Sequence, residues 1–563
     1  MVLALAGCAS NPLAARESDF ARRLAPERTR AIEPMDLTTF KAAAPGATDS
    51  AAQAARLAAL EKLDLTLAQV RASALSNNLT LRTVLIDPTI AQQDVNVEAA
   101  KFDAVFTPSA SFSGIRSGAI NDKSSSSDLR ARQGSLGAGV SVPLRSGGRA
   151  NVDLVTRVSE NDPAFVGTGQ SYQTDATFSI VQPLLRGFGR EVNNASIRVA
   201  GYNQQIVESR TKLEVINQLA QADRAYWQLY AARRELQVRQ QEYELASEQL
   251  SRAQRRVQAG DSPELEQIRA ESGLASRLEA IITAETSVLT QQRELKRLMN
   301  MPGADVDSRT ALIPATDPSL VEYDLDQAKL LDLALASRME LLETELALLA
   351  DDANITVARN GTLPGLDLSA SYTFSGSGDT PGNDIGTISR SRYGGLSASL
   401  VGNIPIGNEA AEARLRRALL TRLQRIGTHE TRRQTVRQDV LDAIDRVQSG
   451  WQRVLAARQA SILAGRTLVG EQRQFDVGSR TSTDVLDAAS RLSAAQSSEV
   501  RAIADYQIAQ IDLAVATGTI LGAASVSFEP TGDSSVNQSE LQRAAQLELE
   551  QRQRILNAPV EPR

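Results

Sequence analysis

The stretch Val257-Gln-Ala-Gly260-Asp-Ser-Pro-Glu-Leu-Glu266-Gln-Ile268-Arg-Ala270 aligns without gaps to Phe475-Asp-Val-Gly478-Ser-Arg480-Thr-Ser-Thr-Asp484-Val-Leu486-Asp487-Ala488. The offset is 218 positions (478 − 260), and it also pairs Ala195 with Ala413, Arg198 with Arg416, Ala225 with Ala443 and Leu274 with Leu492. A constant offset over so long a tract marks a duplicated unit, and such self-similarity decides the architecture before any local assignment does. Each half reads in the same order: helix, strands, a very long helix, a tight turn and a shorter helix.

The long helices run from about Glu191 to Gln258 and from Glu409 to Asp476, ending at Ala259-Gly260-Asp261-Ser262-Pro263 and Val477-Gly478-Ser479-Arg480-Thr481. At about 1.5 Å per residue each spans on the order of 100 Å, a reach that no globular core requires. Gly260 and Gly478 suit the left-handed position that ends a helix, while Ser262 before Pro263, and Ser482 or Thr481, can cap the next one. The spacing predicts two helical hairpins with tips at Gly260 and Gly478. Leu229, Leu236, Tyr243, Leu250 and Val257 form a heptad stripe beside Ala232, Ala246 and Ala253. Ala488, Ala495, Ala502, Ala509 and Ala516 form another beside Leu492, Tyr506 and Leu513. Large side chains facing small ones let helices approach closely, as packing in a many-helix tube requires.

Ahead of each long helix lie alternating strands. Leu366, Leu368, Ala370, Tyr372 and Phe374 share one face, with Asp367, Ser369, Ser371 and Thr373 on the other; Leu396, Ala398, Leu400 and Ile404 repeat the pattern. In the first half Ala104, Phe106, Ala110 and Phe112, then Phe178 and Ile180 opposite Thr177 and Ser179, do the same. A soluble sandwich shares this period, but alternating segments between Gly/Ser/Asn-rich loops, in a chain without an apolar run of about 18 residues, suit lipid-facing barrel strands. Pro108 to Pro183 covers 75 positions and Pro364 to Pro405 covers 41, which leaves the first half 34 longer (75 − 41). The surplus holds Leu136–Leu144, Ser146-Gly147-Gly148 and Val152–Val158, an added hairpin about a Gly-Gly turn. It either enters the sheet or caps its mouth.

Lys+Arg 61 against Asp+Glu 67 gives a net charge of −6, which offers no electrostatic pull toward nucleic acid. One Cys and one His exclude a disulfide framework and a Cys/His zinc site within a single copy. No phosphate loop or nucleophile elbow is present, so neither enzyme nor cofactor is expected. His429 reads as a surface residue, and Trp227 and Trp451 as packing side chains. At the start, Leu5-Ala6-Gly7-Cys8 closes an apolar segment and resembles a bacterial lipobox. That pattern would make Cys8 a lipidated mature N-terminus, and Ala9 after it suggests sorting to the outer membrane. A basic region ahead of it is missing, so translation is expected to start further upstream.

Phe475 to Ala488, followed by Asp505-Tyr506 and Leu513…Gly518-Thr-Ile-Leu521, resembles the periplasmic-entrance segment of the TolC-like outer membrane efflux factor family. Pro183-Leu-Leu-Arg-Gly-Phe-Gly-Arg190 is similar to that family's strand-to-helix junction, and the resemblance spans about Leu65 to Leu521. It implies an α+β membrane protein: a homotrimer whose copies each give four strands to one outer-membrane β-barrel, continued by a coiled-coil α-helical periplasmic tunnel. It further implies the passive exit duct of a tripartite efflux pump or type I secretion system, partnered by a periplasmic adaptor, an inner-membrane pump and outer-membrane lipid. The adaptor would meet the Gly260 and Gly478 tips. Asp484 and Asp487 would form acidic rings at a periplasmic gate, Arg480 would latch it, and Glu266 is the matching acidic position of the first half. Phe475 stands where the family pattern has a tyrosine, which removes one hydrogen bond from the latch. Carboxylates repeated by symmetry at a constriction repel one another and attract cations; an Asp near a helix start also simply meets the helix dipole. The alternative is a non-conducting coiled-coil lipoprotein of the periplasm, in which the strands have no purpose.

The domains follow. Residues 1–7 are a residual signal segment and 8–64 a lipid-linked arm. The first repeat is 65–300, with strands about 102–186, long helix 191–258 and shorter helix 263–300. After a linker at 301–324 comes the second repeat, 325–521, with strands about 363–405, long helix 409–476 and shorter helix 482–518. A polar tail, 522–563, closes the chain.

Overall fold

The computed structural model describes residues 62–119, 127–161, 169–260, 263–378, 380–389 and 394–523. Cys8, the arm up to residue 61, Ser262 and the tail beyond residue 523 lie outside these residues. The first half contains β1 (Lys62–Leu65), α1 (Leu67–Asn77), α2 (Leu79–Val84), α3 (Asp87–Ala99), β2 (Val105–Ala119), β3 (Ser127–Pro143), β4 (Arg149–Asn161), β5 (Gly169–Pro183), α4 (Arg190–Asn193), α5 (Ala195–Gln258) and α6 (Glu264–Met299). A short β6 (Ala311–Pro314) leads into the second half, which contains α7 (Gln327–Ser337), α8 (Met339–Asn360), β7 (Gly365–Gly378), α9 (Pro381–Ser389), β8 (Gly394–Asn403), α10 (Glu409–Asp476), α11 (Ser482–Ala516) and α12 (Ile520–Ala523).

The long helices α5 and α10 are 64 and 68 residues long. The first starts at Ala195 rather than Glu191, because the Asn193 side chain turns back to donate to the carbonyls of Gly187 and Gly189, both at 2.8 Å, and the helix breaks at Asn194. Both tips turn as the glycines require: Gly260 and Gly478 each have φ of +77°, a left-handed conformation costly to a side chain with a Cβ.

All six strands from β2 to β8 except β6 form one antiparallel sheet in the order β2-β3-β4-β5-β7-β8. The added hairpin is therefore inside the sheet, and the four strands per copy implied by the resemblance are corrected to six. The register runs Phe106↔Val140↔Val152↔Phe178↔Tyr372↔Leu396, so one residue from every strand sits on the same face at the same height. The turn between β3 and β4 is closed by Gly147 N donating to Leu144 O and Leu144 N to Gly148 O, each at 2.8 Å.

The segment read as a plain linker is strapped down. β6 pairs in parallel with β1, so Lys62, Leu63 and Asp64 belong to this sheet and not to the arm expected over 8–64. The buried Tyr226 hydroxyl donates to Leu65 O (3.1 Å) and accepts from Thr316 N (2.9 Å). Tyr506 donates to Val321 O at 2.5 Å, and Gln507 to Ser319 O at 2.7 Å. The main core gathers here, with Leu219, Tyr226, Trp227 and Leu229 of α5 against Leu295, Leu298 and Met299 of α6 and Leu312 of β6. Trp451 is half-buried, its ring 5.6 Å from that of Tyr506. His429 is half-buried as well, with Nδ1 2.7 Å from the Thr344 hydroxyl.

Toward the tips, the buried seam of α5 is Val238, Glu242, Ala246, Gln249 and Ala253, while the larger Leu236, Tyr243, Leu250 and Val257 are only half-buried. The seam takes the small and polar members of the pattern because neighbouring helices supply polar partners. Glu242 meets Arg239 (3.1 Å), Arg277 (3.3 Å) and the Ser493 hydroxyl (2.7 Å), which joins α5, α6 and α11.

One ion pair ties α1 to α5. Asp223 has no solvent exposure, and Arg71 donates to both its oxygens, from Nη2 at 2.7 Å and Nε at 2.9 and 3.1 Å. Burial holds the Asp223 carboxyl above its ordinary range, and the Arg71 guanidinium offsets part of that rise. Arg71→Met removes the offset and leaves a buried charge unpaired, a loss of about 3 kcal/mol. The penalty should be least near pH 4 and grow toward neutrality, because a raised carboxyl pKa favours the fold only while the group is protonated. Thermal unfolding of the purified chain in detergent at several pH values checks this, and Arg71→Met with Asp223→Met should recover most of the loss.

Candidate functional site

At the tip of the second hairpin, Thr481 is the residue that caps α11. Its hydroxyl accepts from Asp484 N (3.3 Å), and the Asp484 carboxylate accepts in return from Thr481 N and Oγ1, both at 2.9 Å. This is a reciprocal capping box. The backbone and side-chain bonds from Thr481 hold the Asp484 carboxyl below its usual range. Ser482, the other candidate cap, is instead buried and accepts from Gln249 Nε2 of α5 at 3.1 Å. Asp487, one turn on, is exposed.

Arg480 lies within its own hairpin: Nε donates to Gln474 Oε1 at 3.0 Å and sits 3.2 Å from Glu471 Oε2. Phe475 is buried against Leu468, Val485, Ala488 and Ala489, and the Arg256 guanidinium lies 5.0 Å from its ring centre. Arg256 belongs to α5, so this contact bridges the two hairpins. Arg252 and Asp476 add a 3.8 Å ion pair across the same gap, and a Cβ on Gly273 of α6 would come within 3.1 Å of Leu486. Glu266 is paired with Arg269 (2.9 Å) on its own helix. The structure thus groups Asp484, Asp487, Arg480 and Phe475 on one hairpin and places Glu266 on the other. Reading for acidic and apolar pattern missed Arg256, Gln249 and Arg252; their only signal is polar residues recurring toward the end of a helix that otherwise packs.

The opposite end of the long helices carries the sheet, one face of which is mainly apolar and the other mainly polar. Phe106, Phe112, Leu136, Leu154, Phe178 and Leu400 stand on one face, and Phe112 and Leu396 are 78% and 77% exposed with nothing in the chain covering them. The other face is zipped by hydroxyls and charges: Ser111 to Ser135 (2.7 Å), Thr177 to Thr373 (3.0 Å), Ser371 to Ser397 (2.7 Å) and Arg157 to Asp175 (2.5 Å). At the far end the apolar face gives way to charge, where Arg132 lies 3.8 Å from Glu160. An apolar band ending in charge, backed by a polar face, is the pattern of a wall between lipid and water. No helix among the described residues is long and apolar enough to cross a membrane.

Neither the repeat nor the strand alternation announces the helix α9. It rests on the apolar face where Gly376 and Gly378 leave room, and a Cβ on Gly376 would lie 2.4 Å from Asp384 O. Its buried Asp384 accepts from Thr174 N at 3.1 Å and from the Thr174 hydroxyl.

The capping box yields a test. Thr481→Val keeps the shape but removes the acceptor, so the Asp484 amide should exchange faster by hydrogen-exchange mass spectrometry. The reciprocal bond to the carboxylate has the opposite control, acidity: with its pKa depressed it persists at neutral pH and is lost only as pH falls through that lowered value. After correction for intrinsic exchange, protection in the parent should drop in that acid range and stay flat in Asp484→Asn.

Over residues 151–301 and 330–519 the chain matches the family described as outer membrane efflux protein. Outer membrane efflux protein BepC of Brucella suis biovar 1 (strain 1330) is 28% identical over 365 residues, 62% of this chain and 73% of that protein. Outer membrane protein TolC of Vibrio cholerae serotype O1 (strain ATCC 39315 / El Tor Inaba N16961) is 23% identical over 300 residues, 53% of this chain and 66% of that protein. Among solved structures, the Campylobacter jejuni CmeC outer membrane channel superposes with a TM-score of 0.60 at 15% identity, covering 84% of this chain and 88% of that one. CusC does so at 0.60 and 18%, covering 82% and 93%. At these identities the structural likeness is one of fold. The family match takes in both long helices, both shorter helices and strands of both halves, and the chain belongs to the outer membrane efflux protein family, the TolC-like transport proteins of the outer membrane.

Proposed function

We propose that this chain is the passive exit duct of a tripartite efflux pump or a type I secretion system. Three copies close their sheets into a barrel in the outer membrane, and their long helices continue it as a tunnel through the periplasm. The observation that carries this reading is the two-faced sheet standing on helices of on the order of 100 Å. An uncovered apolar face needs lipid, and helices of that reach need a space to cross; a non-conducting scaffold explains the second and not the first. Lipid on Cys8 adds an anchor. Energy comes from an inner-membrane pump, delivered through a periplasmic adaptor that meets the Gly260 and Gly478 tips.

In this reading the tips are the gate. Asp484 and Asp487, repeated around the threefold axis, make an acidic constriction; Arg480 holds the hairpin in its closed shape through Glu471 and Gln474, and Glu266 with Arg269 lines the alternate position. Phe475 supplies packing where a tyrosine would supply a hydrogen bond, so the resting state depends more on the Arg256 stacking contact.

Reconstituted in planar bilayers, the chain should give cation-preferring channels that multivalent cations block from the tip side. Asp484→Asn with Asp487→Asn should weaken that block at least tenfold, while a preparation that never conducts, even with both neutralised, defeats the duct. Gly478→Val forces a Cβ into a φ of +77° at the tip. Copy number in detergent should be unchanged, but export in cells carrying the cognate pump and adaptor should fall; normal export would remove the tip from adaptor contact.

A further inference from the structure

We infer that each copy contributes six strands to the membrane wall, so that the three-copy duct is closed by eighteen strands around a wide pore. This rests on the reading proposed above and adds the size and construction of its outer mouth.

The hairpin β3–β4 is built as wall and not as cap. Along its whole length it pairs on both sides, β3 with β2 and β4 with β5. Its outward residues continue the apolar face: Val140 and Val152 stand level with Phe178 and Tyr372, and Leu154 stands level with Phe374 by way of Ala176. Its inward residues continue the polar one, with Arg157 on Asp175 and Asn151 Nδ2 donating to the Ser179 hydroxyl at 3.2 Å. A segment folded over the mouth has no reason to keep this two-residue alternation in register with its neighbours.

The lower turn of the hairpin is fastened to the junction where the wall meets the tunnel. Gly189 N donates to Ser146 O at 3.0 Å, and the Ser146 hydroxyl to Gln182 Oε1 at 2.7 Å. Gly147 has φ of +94°, and a Cβ there would lie 2.1 Å from Gly187 O, so the turn and the junction fit only backbone to backbone. The family match opens at residue 151, inside β4, and leaves β2 and β3 ahead of it. Four of the six strands therefore lie within the family's shared region and the other two precede it.

Closure follows from parity. With six alternating strands, β8 runs opposite to β2, so the β8 edge of one copy meets the β2 edge of a second copy as an antiparallel pair. Both edges present the same faces, Phe106 and Phe112 on β2 and Leu396 and Leu400 on β8 pointing outward. Neither edge can remain open in hydrocarbon, where unpaired backbone groups have no water to bond. At about 4.8 Å between strands and a tilt of about 40°, eighteen strands enclose a barrel roughly 36 Å across between backbones, against roughly 24 Å for twelve. The inward face, largely Ser, Thr and Gly, leaves that width open.

The test removes residues 127–161, which joins β2 to β5 with their antiparallel order intact. Mass photometry should give three copies for parent and deletion alike. In planar bilayers, neutral polymers added on the outer side read the mouth rather than the tips, and the largest polymer admitted should shrink in radius by about one third in the deletion. An unchanged cut-off with three copies present overturns the inference and leaves the duct; absence of any conductance in the parent overturns both. Should the deletion fail to assemble, neighbouring positions on β4 decide in nanodiscs. Asp153→Cys should react with a water-soluble maleimide and Leu154→Cys should not, each measured above the background of the one native cysteine. Equal reaction at the two positions places the hairpin outside the wall and overturns the inference.

Discussion

Everything in the two-faced sheet depends on a single register. Because side chains alternate with a period of two, a slip of one residue at any of the five strand pairings would turn a strand's apolar set onto the polar face and its serines onto the apolar one. The chain secures the register redundantly. Aromatic contacts hold one face, with the Phe178 and Phe374 rings 6.2 Å apart and Tyr372 and Phe374 4.6 Å apart. Paired hydroxyls and the Arg157–Asp175 bridge hold the other, and the Gly147 turn pins the base.

The helical part answers a different constraint. A helix of 64 or 68 residues gains little from any one end, and its stability must come from side contacts along its length. The two repeats supply these unequally. Near the linker the contacts are large and apolar, built on Tyr226, Trp227 and Leu229, and the linker itself is strapped by tyrosine hydroxyls. Toward the tips they become small and polar, with Glu242, Gln249 and Ser482 in the seam. A polar seam is worth less per contact but demands a definite geometry. The end of the molecule that the proposed function requires to move is thus the end held least by burial and most by directional bonds.

The sequence showed those parts of this architecture that local sterics dictate. Gly260 and Gly478 are legible because few other residues accept a left-handed turn, and the strands because alternation survives without knowledge of neighbours. What escaped was non-local. Gly147-Gly148 announces a hairpin but says nothing of the strands beside it, since the pairing of Val152 with Phe178 and of Phe178 with Tyr372 links distant segments. The helix α9 hides behind Pro381-Gly382-Asn383, which reads as a turn; the glycines that make room for it lie on another element, and its buried Asp384 is satisfied by Thr174. The heptads placed the helices together but misjudged the seam, because a buried Glu242 is legible only once Arg239, Arg277 and Ser493 are in place around it. For the tip, the residue types were legible and their partners were not: Arg480 finds Glu471 and Gln474 in its own hairpin.

The duplication also bears on how the tips divide their labour. At the 218-residue offset, Asp484 corresponds to Glu266, but Asp487 corresponds to Arg269 and Thr481 to Pro263. The first hairpin therefore starts its short helix after Pro263 with no side-chain cap, and of the two glutamates in its first turn Glu264 is exposed while Glu266 is paired with Arg269. The second starts on a capping box and keeps Asp487 exposed. Over the aligned stretch the tips carry the same balance, Asp261, Glu264 and Glu266 against Arg269 and Asp476, Asp484 and Asp487 against Arg480, but place it at different positions, although Gly260 and Gly478 turn alike. The first hairpin grips the second through Arg256, Arg252 and Gln249. Duplication supplied two scaffolds alike in backbone and in tip charge, and the differences at these three positions decide which of them starts its short helix on a side-chain cap.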